Sequence, residues 1–117
     1  MKEVLQKAIT THSHWKYNLQ QAIKTGKSPT TVDEVKNAHR CELGKWLDSA
    51  AGKALPGYAE INKIHQDFHE EAADILKLAL AGKQSEAQIR MQLGSYFGQL
   101  TAKLVNKLSD LETSDKV

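Results

Sequence analysis

The sequence predicts an all-α fold, an antiparallel four-helix bundle with an additional short helix that carries the single cysteine. Three observations predict it. Apolar residues recur at steps of three and four along most of the chain, the spacing that places them on one face of a helix. The seven glycines and two prolines gather at a few points between those stretches, where they act as stops. A chain of 117 residues with 40% hydrophobic content is enough for one modest core and too short for two, so residues 1–117 are expected to form one domain.

The elements follow in order. Val4, Leu5, Ala8, Ile9, His12, Trp15, Leu19, Ala22 and Ile23 mark a first helix, which Thr25-Gly26-Lys27-Ser28-Pro29 stops. Thr31-Val32-Asp33-Glu34 has the Thr-x-x-Glu form of a capping box, so a second, short helix starts there. One or two helical turns run from about Cys41 to Asp48, and Ala51-Gly52 with Leu55-Pro56-Gly57 read as a loop. From Tyr58 the stripe Ile61, Ile64, His65, Phe68, His69, Ala72, Ile75, Leu76 and Ala79 holds as far as Ala81-Gly82. Ser85-Glu86 opens a last helix with Ile89, Leu93, Phe97, Leu100, Leu104, Leu108 and Leu111 on one face, and residues 113–117 are expected to fray. Gly94 and Gly98 stand four apart in that helix, each costing about 1 kcal/mol against alanine. Either a close contact between two chains or local packing within one would offset the cost.

Charge and length exclude several functions. Sixteen Lys and Arg against 14 Asp and Glu leave +2, too near balance for a surface whose task is to hold a phosphate backbone, so nucleic acid is not an expected partner. The longest apolar run, Leu78 to Ala81, is far short of the roughly 20 residues a bilayer span requires. No apolar stretch with a cleavage site follows Met1-Lys2-Glu3, and a lone thiol fits a reducing compartment, so a cytoplasmic location is expected.

The chemistry lies with the five histidines and Cys41. At roughly 100° per residue, His12 falls within roughly 20° of Leu5, Leu19 and Ile23, in the middle of the first helix's apolar stripe. His14 is turned roughly 200° away and has no role. His65 and His69 are i and i+4 on the apolar face of the Tyr58 helix, so two imidazoles converge on one point. A single histidine on such a stripe is ordinarily a hydrogen-bonded core residue; a His-x-x-x-His pair inside the stripe is not. Three imidazoles buried without partners would each cost about 1 to 3 kcal/mol, which a chain this small cannot spare. Cys41 reads either as a small buried apolar residue or as a ligand near the start of a helical turn, where the dipole favours thiolate. His12, Cys41, His65 and His69 together make a three-nitrogen, one-sulfur set that suits tetrahedral Zn2+. Four protein ligands close the shell and leave no position for a hydrolytic water, which argues against an enzyme. His39, two residues before Cys41, points elsewhere in a helical turn and is kept outside the ligand set, behind it.

These residues carry a resemblance. His12-Ser13-His14-Trp15, Cys41-Glu42-Leu43-Gly44-Lys45-Trp46 and His65-Gln66-Asp67-Phe68-His69 resemble the His-x-x-Trp, Cys-x-Leu-Gly-x-Trp and His-x-x-x-His blocks of the chemoreceptor zinc-binding (CZB) family, over roughly residues 5 to 80. The resemblance implies a four-helix fold in which His12, Cys41, His65 and His69 bind one zinc, the same four that the spacing selects. It also implies a sensory module of bacterial chemoreceptors or diguanylate cyclases, with the cysteine answering zinc or oxidants such as hypochlorous acid. The chain has no room for a methyl-accepting hairpin or a cyclase domain, so those are expected as partners, with the chain stand-alone or excised.

The leading expectation is therefore a zinc-binding regulatory module in chemotaxis or cyclic-di-GMP control, responding to zinc or to oxidation of Cys41. Its rivals are a purely structural zinc in an interaction domain, and a hemerythrin-like iron or oxygen carrier. The last would need bridging carboxylates, and Glu70, Glu71 and Asp74 flank His69 but lie off the His65/His69 line. Trp15, Trp46 and Tyr96-Phe97 in so short a chain predict a homodimer.

Overall fold

A computed structural model of the chain describes residues 2–38, 41–92 and 94–114. Among these it forms seven helices and no strand: α1 (Lys2–Thr25), α2 (Val32–Lys36), α3 (Glu42–Asp48), α4 (Ala50–Lys53), α5 (Tyr58–Leu80), α6 (Gln84–Arg90) and α7 (Tyr96–Ser114). The all-helical class follows from the periodicity. The three long helices touch one another pairwise, α1 on α5 and α7, and α5 on α7. The short α2 lies on α5, and α3 against both α1 and α5.

The core is the sum of the stripes. Leu5, Ala8, Leu19 and Ile23 come from α1, Ile61, Phe68, Ala72, Ile75 and Leu76 from α5, and Phe97, Leu100, Leu104 and Leu108 from α7. Val35 of α2 and Leu43 and Leu47 of α3 close the remaining side. Burying a leucine or phenylalanine of this kind contributes about 2 kcal/mol, so the long stripes determine which faces meet.

Several boundaries fall where local chemistry puts them. Gly26 ends α1 with φ +71°, the left-handed conformation that only glycine adopts without penalty. Thr31 forms the full capping box: its hydroxyl accepts from the Glu34 amide at 3.1 Å, and the Glu34 carboxylate accepts from the Thr31 amide at 3.2 Å. Cys41 is the N-cap of α3 rather than its first helical residue.

Three expectations need correction. The stretch read as a loop after Asp48 contains α4, capped by the Ser49 hydroxyl, which accepts from the Gly52 amide at 3.2 Å. Gly52 is required there because a Cβ would overlap the Trp46 carbonyl oxygen and the Leu47 backbone. The last helix is two helices. Gly94 has φ +84° and Ser95 restarts the chain, its hydroxyl accepting from the Gly98 amide at 3.3 Å. Gly94 and Gly98 therefore do not share a helix face, and both readings of that pair as a helix-packing motif fall. The break also changes the phase of the stripe. Ala87 and Met91 are buried, whereas Ile89, expected on the core face, is 60% exposed; Leu93 lies outside the described residues. Finally, Thr113 and Ser114 continue α7 rather than fraying, and the rest of that tail, 115–117, is outside the described residues.

Candidate metal centre

The four residues of the site are set by elements already described. The α1 stripe turns His12 inward to 0% exposure, and the α5 stripe does the same for His65 and His69, at 1% and 4%. Cys41 arrives from the opposite side as the N-cap of α3 and is half-buried. One donor atom from each of the four lies within 4.8 Å of the others. Phe68, which precedes His69 on α5, packs its ring 5.1 Å from His12 and 5.2 Å from Phe97. His14 is exposed, its ring 5.2 Å from that of Tyr17, as the helical projection requires. His39 lies outside the described residues.

Hydrogen bonds fix how the imidazoles are presented. His12 Nδ1 lies 2.7 Å from the Ala8 carbonyl and His69 Nδ1 lies 2.8 Å from the Val35 carbonyl. A carbonyl oxygen only accepts, so both Nδ1 atoms carry the proton and both Nε2 atoms offer a lone pair. This is the arrangement of metal-ligating histidines, whose other nitrogen is held by a carbonyl or carboxylate. His12 Nε2 is 3.8 Å from Cys41 Sγ, and His69 Nε2 is 3.0 Å from His65 Nε2. With its proton on Nδ1, His69 Nε2 accepts from His65 Nε2 across that gap.

Burial governs the charges. It pushes His12 down to about 4, against the smaller opposing pull of the Ala8 carbonyl and with some help from His69. Burial also pushes His69 down, opposed by its Val35 bond. Both are therefore neutral, ligand-competent imidazoles at neutral pH. Cys41 departs from expectation. The Leu43 and Gly44 amides at the start of α3 favour the thiolate, but burial outweighs them and, with Glu42, pushes the thiol up. Without a cation the helix terminus alone does not ionise it.

The donor set fits zinc. Bond lengths of about 2.0 to 2.1 Å to nitrogen and about 2.3 Å to sulfur imply tetrahedral edges of about 3.3 Å (N to N) and about 3.6 Å (N to S). The separations of 3.0 and 3.8 Å straddle those values. Two of the three carboxylates that flank His69 are engaged elsewhere: Glu71 and Asp74 face Arg90, at 3.8 and 3.6 Å. A cleft of about 710 Å³ lined by Lys7, Trp15, Val35 and Trp46 ends on His12 and Cys41.

The structure brings together the four residues that the spacing singles out, but spacing does not say what orients them. The Ala8 carbonyl was accessible to reasoning, since a histidine on a helix can reach back one turn. The Val35 carbonyl, 34 residues from His69, carries no sequence signal because every residue has a carbonyl.

No curated protein and no solved structure matches the chain. The family profile of the chemoreceptor zinc-binding domain matches residues 12–76. That span begins at His12 and takes in Cys41, His65 and His69, so the converging donors and the matched segment coincide. The metal bound is zinc, and the chain belongs to the chemoreceptor zinc-binding domain family.

Proposed function

We propose that the chain is a zinc-responsive regulatory module of bacterial signal transduction, in which His12, Cys41, His65 and His69 are the ligands. The observation that carries this is the convergence of four donors within 4.8 Å, two of them with Nδ1 already tied to a carbonyl. When bound, zinc supplies bonds that join α1, the start of α3 and α5, so that binding free energy becomes folding free energy. The four-ligand shell supports a sensory rather than an enzymatic role.

On this reading residues 1–117 act as one domain, a four-helix bundle in which α2 and α3 take the fourth place beside α1, α5 and α7. Cys41 is the responsive ligand. It is the one member of the set that is not fully buried, and the cleft leads to it. Oxygen transfer from hypochlorous acid to the thiolate forms an S–O bond and releases chloride, and the sulfenic acid that results is a poorer ligand. The output passes to a chemoreceptor or diguanylate cyclase partner in the cytoplasm, with a second copy of the chain covering exposed aromatic surface such as Tyr96. Among the described residues no helix is long and apolar enough to cross a membrane.

Elemental analysis tests the ligand set. Protein purified without chelator should hold about one zinc per chain. His14→Ala should leave that content intact, and the double variant His65→Ala/His69→Ala should lose it. Full zinc in the double variant refutes the site. Zinc that fails to exchange with a chelator over hours would favour a purely structural role instead.

A further inference from the structure

The carbonyls that hold His12 and His69 are themselves held very differently. Ala8 lies one turn before His12 inside the 24-residue α1, where the helix ladder fixes it. Val35 lies in α2, only five residues long, far below the length at which a helix stands alone. What closes α2 is its N-terminus. Thr31 Oγ1 accepts from the Glu34 amide at 3.1 Å, and Glu34 Oε1 accepts from the Thr31 amide at 3.2 Å and from the Thr31 hydroxyl at 3.0 Å. The Val35 amide then donates to the Thr31 carbonyl at 3.1 Å. Val35 is thus bonded to the cap through its amide, buried through its side chain, and bonded to His69 Nδ1 through its carbonyl at 2.8 Å.

We propose that the Thr31 capping box is a positioning device for the zinc site: it sets the Val35 carbonyl, and through it the tautomer and ring orientation of His69. Thr31 is exposed and is not a donor in the cluster, yet zinc affinity depends on it. The physical reason is that an imidazole ligand is selected from two tautomers and a range of χ2 angles by the partner of its other nitrogen. If α2 opens, His69 keeps its place on α5 but loses that selection. The inference rests on His69 being a ligand, as proposed above.

The experiment compares Thr31→Ala, Thr31→Ser, His69→Ala and a control, Ser95→Ala, which removes the hydroxyl cap of α7, a helix that supplies no donor. Two quantities are read in the full chain: zinc affinity by competition with a chromophoric chelator, and the exchange rates of the His69 and His12 Nδ1 protons by nitrogen-15 NMR. Thr31→Ala is expected to weaken zinc binding about tenfold, the lower range for a lost outer partner. It should speed exchange of the His69 proton and not that of His12, and Thr31→Ser should restore both. Thr31→Gly, which removes the same hydroxyl but destabilises a helix start less than alanine does, carries the same comparison if Thr31→Ala does not fold. Equal weakening by Thr31→Ala and Ser95→Ala, or equal acceleration of both imidazole protons, would overturn the positioning role. Full affinity in His69→Ala would instead overturn the ligand assignment beneath it.

Discussion

Lowering the pH of the metal-free chain is expected to destabilise it through His12. Burial pushes that imidazole from 6.5 down to about 4, so the unfolded chain takes up the proton first. A depressed folded-state value means that the stability contribution is complete above about pH 6.5, falls as the pH drops, and is fully lost near pH 4. Between about pH 7.5 and about pH 5 the linkage relation gives a loss of about 2 kcal/mol from His12 alone, equivalent to about 8 °C in melting temperature for a chain of this size. His69, also pushed down by burial, adds in the same direction. Glu71, pushed up by burial, acts with the opposite sign, which is why a variant must isolate the histidine. The assay is thermal unfolding by circular dichroism in excess chelator at both pH values, on the parent chain and on His12→Gln, in which the titration is absent. A parent melting temperature that does not change over this window, or an equal drop in His12→Gln, would refute the assignment of the loss to a neutral, buried His12.

Three further outcomes are expected. Gly94→Ala should cost about 1 kcal/mol or more because φ is +84° there, whereas Gly98→Ala, whose Cβ would meet the Ser95 hydroxyl at an ordinary 3.6 Å, should gain about 0.5 to 1 kcal/mol; like signs in denaturant titration would mean the helix is not broken. Gly52→Ala should cost about 2 kcal/mol or more, since the added methyl overlaps the backbone of Trp46 and Leu47 and overpacking against backbone finds no rotamer to relax; a neutral result in the same titration would contradict the docking of α4 on α3. Mild oxidant should raise amide exchange across Glu42–Leu47 before Ile61–Ala72, and Cys41→Ser should abolish that order; modified Cys41 with unchanged exchange and zinc content would remove oxidation from the proposed function.

The parts that were legible in the sequence are those where one physical term dominates. The α5 stripe is long, unbroken and apolar, so hydrophobic burial alone fixes its extent and the inward direction of His65 and His69. The Thr31 capping box is legible because a hydroxyl and a carboxylate three residues apart satisfy two named amides. The C-terminal third departs from expectation because its apolar residues keep helical spacing across Gly94, and spacing says nothing about φ. The stripe through Ile89 continued on paper while the chain turned, so Ala87 and Met91, not Ile89, reached the core. The Cys41 thiol differs from expectation for a related reason. Its position at a helix start was legible, but the sign of its shift depends on burial against amides, a balance that spacing does not contain.

That balance bears on why one of the four proposed ligands differs from the other three. The histidines stand on α1 and α5, 24 and 23 residues long, which hold their place through core stripes whether or not a metal is bound. Cys41 stands at the N-cap of the seven-residue α3 and makes no side-chain cap bond, where Thr31 and Ser49 at the equivalent positions of α2 and α4 each accept from an amide. A cap of that kind is worth about 1 kcal/mol. A serine or aspartate at position 41 would stabilise α3 on its own account; the thiol instead leaves the start of the helix dependent on what the sulfur binds. Burial holds the free thiol protonated, so only a cation makes the sulfur an anion facing the amides of Leu43 and Gly44. If Cys41 is a ligand as proposed, metal binding would supply two things to α3 at once, a tether to α1 and α5 and the negative charge its N-terminus lacks. On the proposed ligand set, losing the metal would remove both from the least self-sufficient of the elements that hold the site, and the proposed response at one sulfur rests on that inequality between the seven-residue α3 and the long α1 and α5.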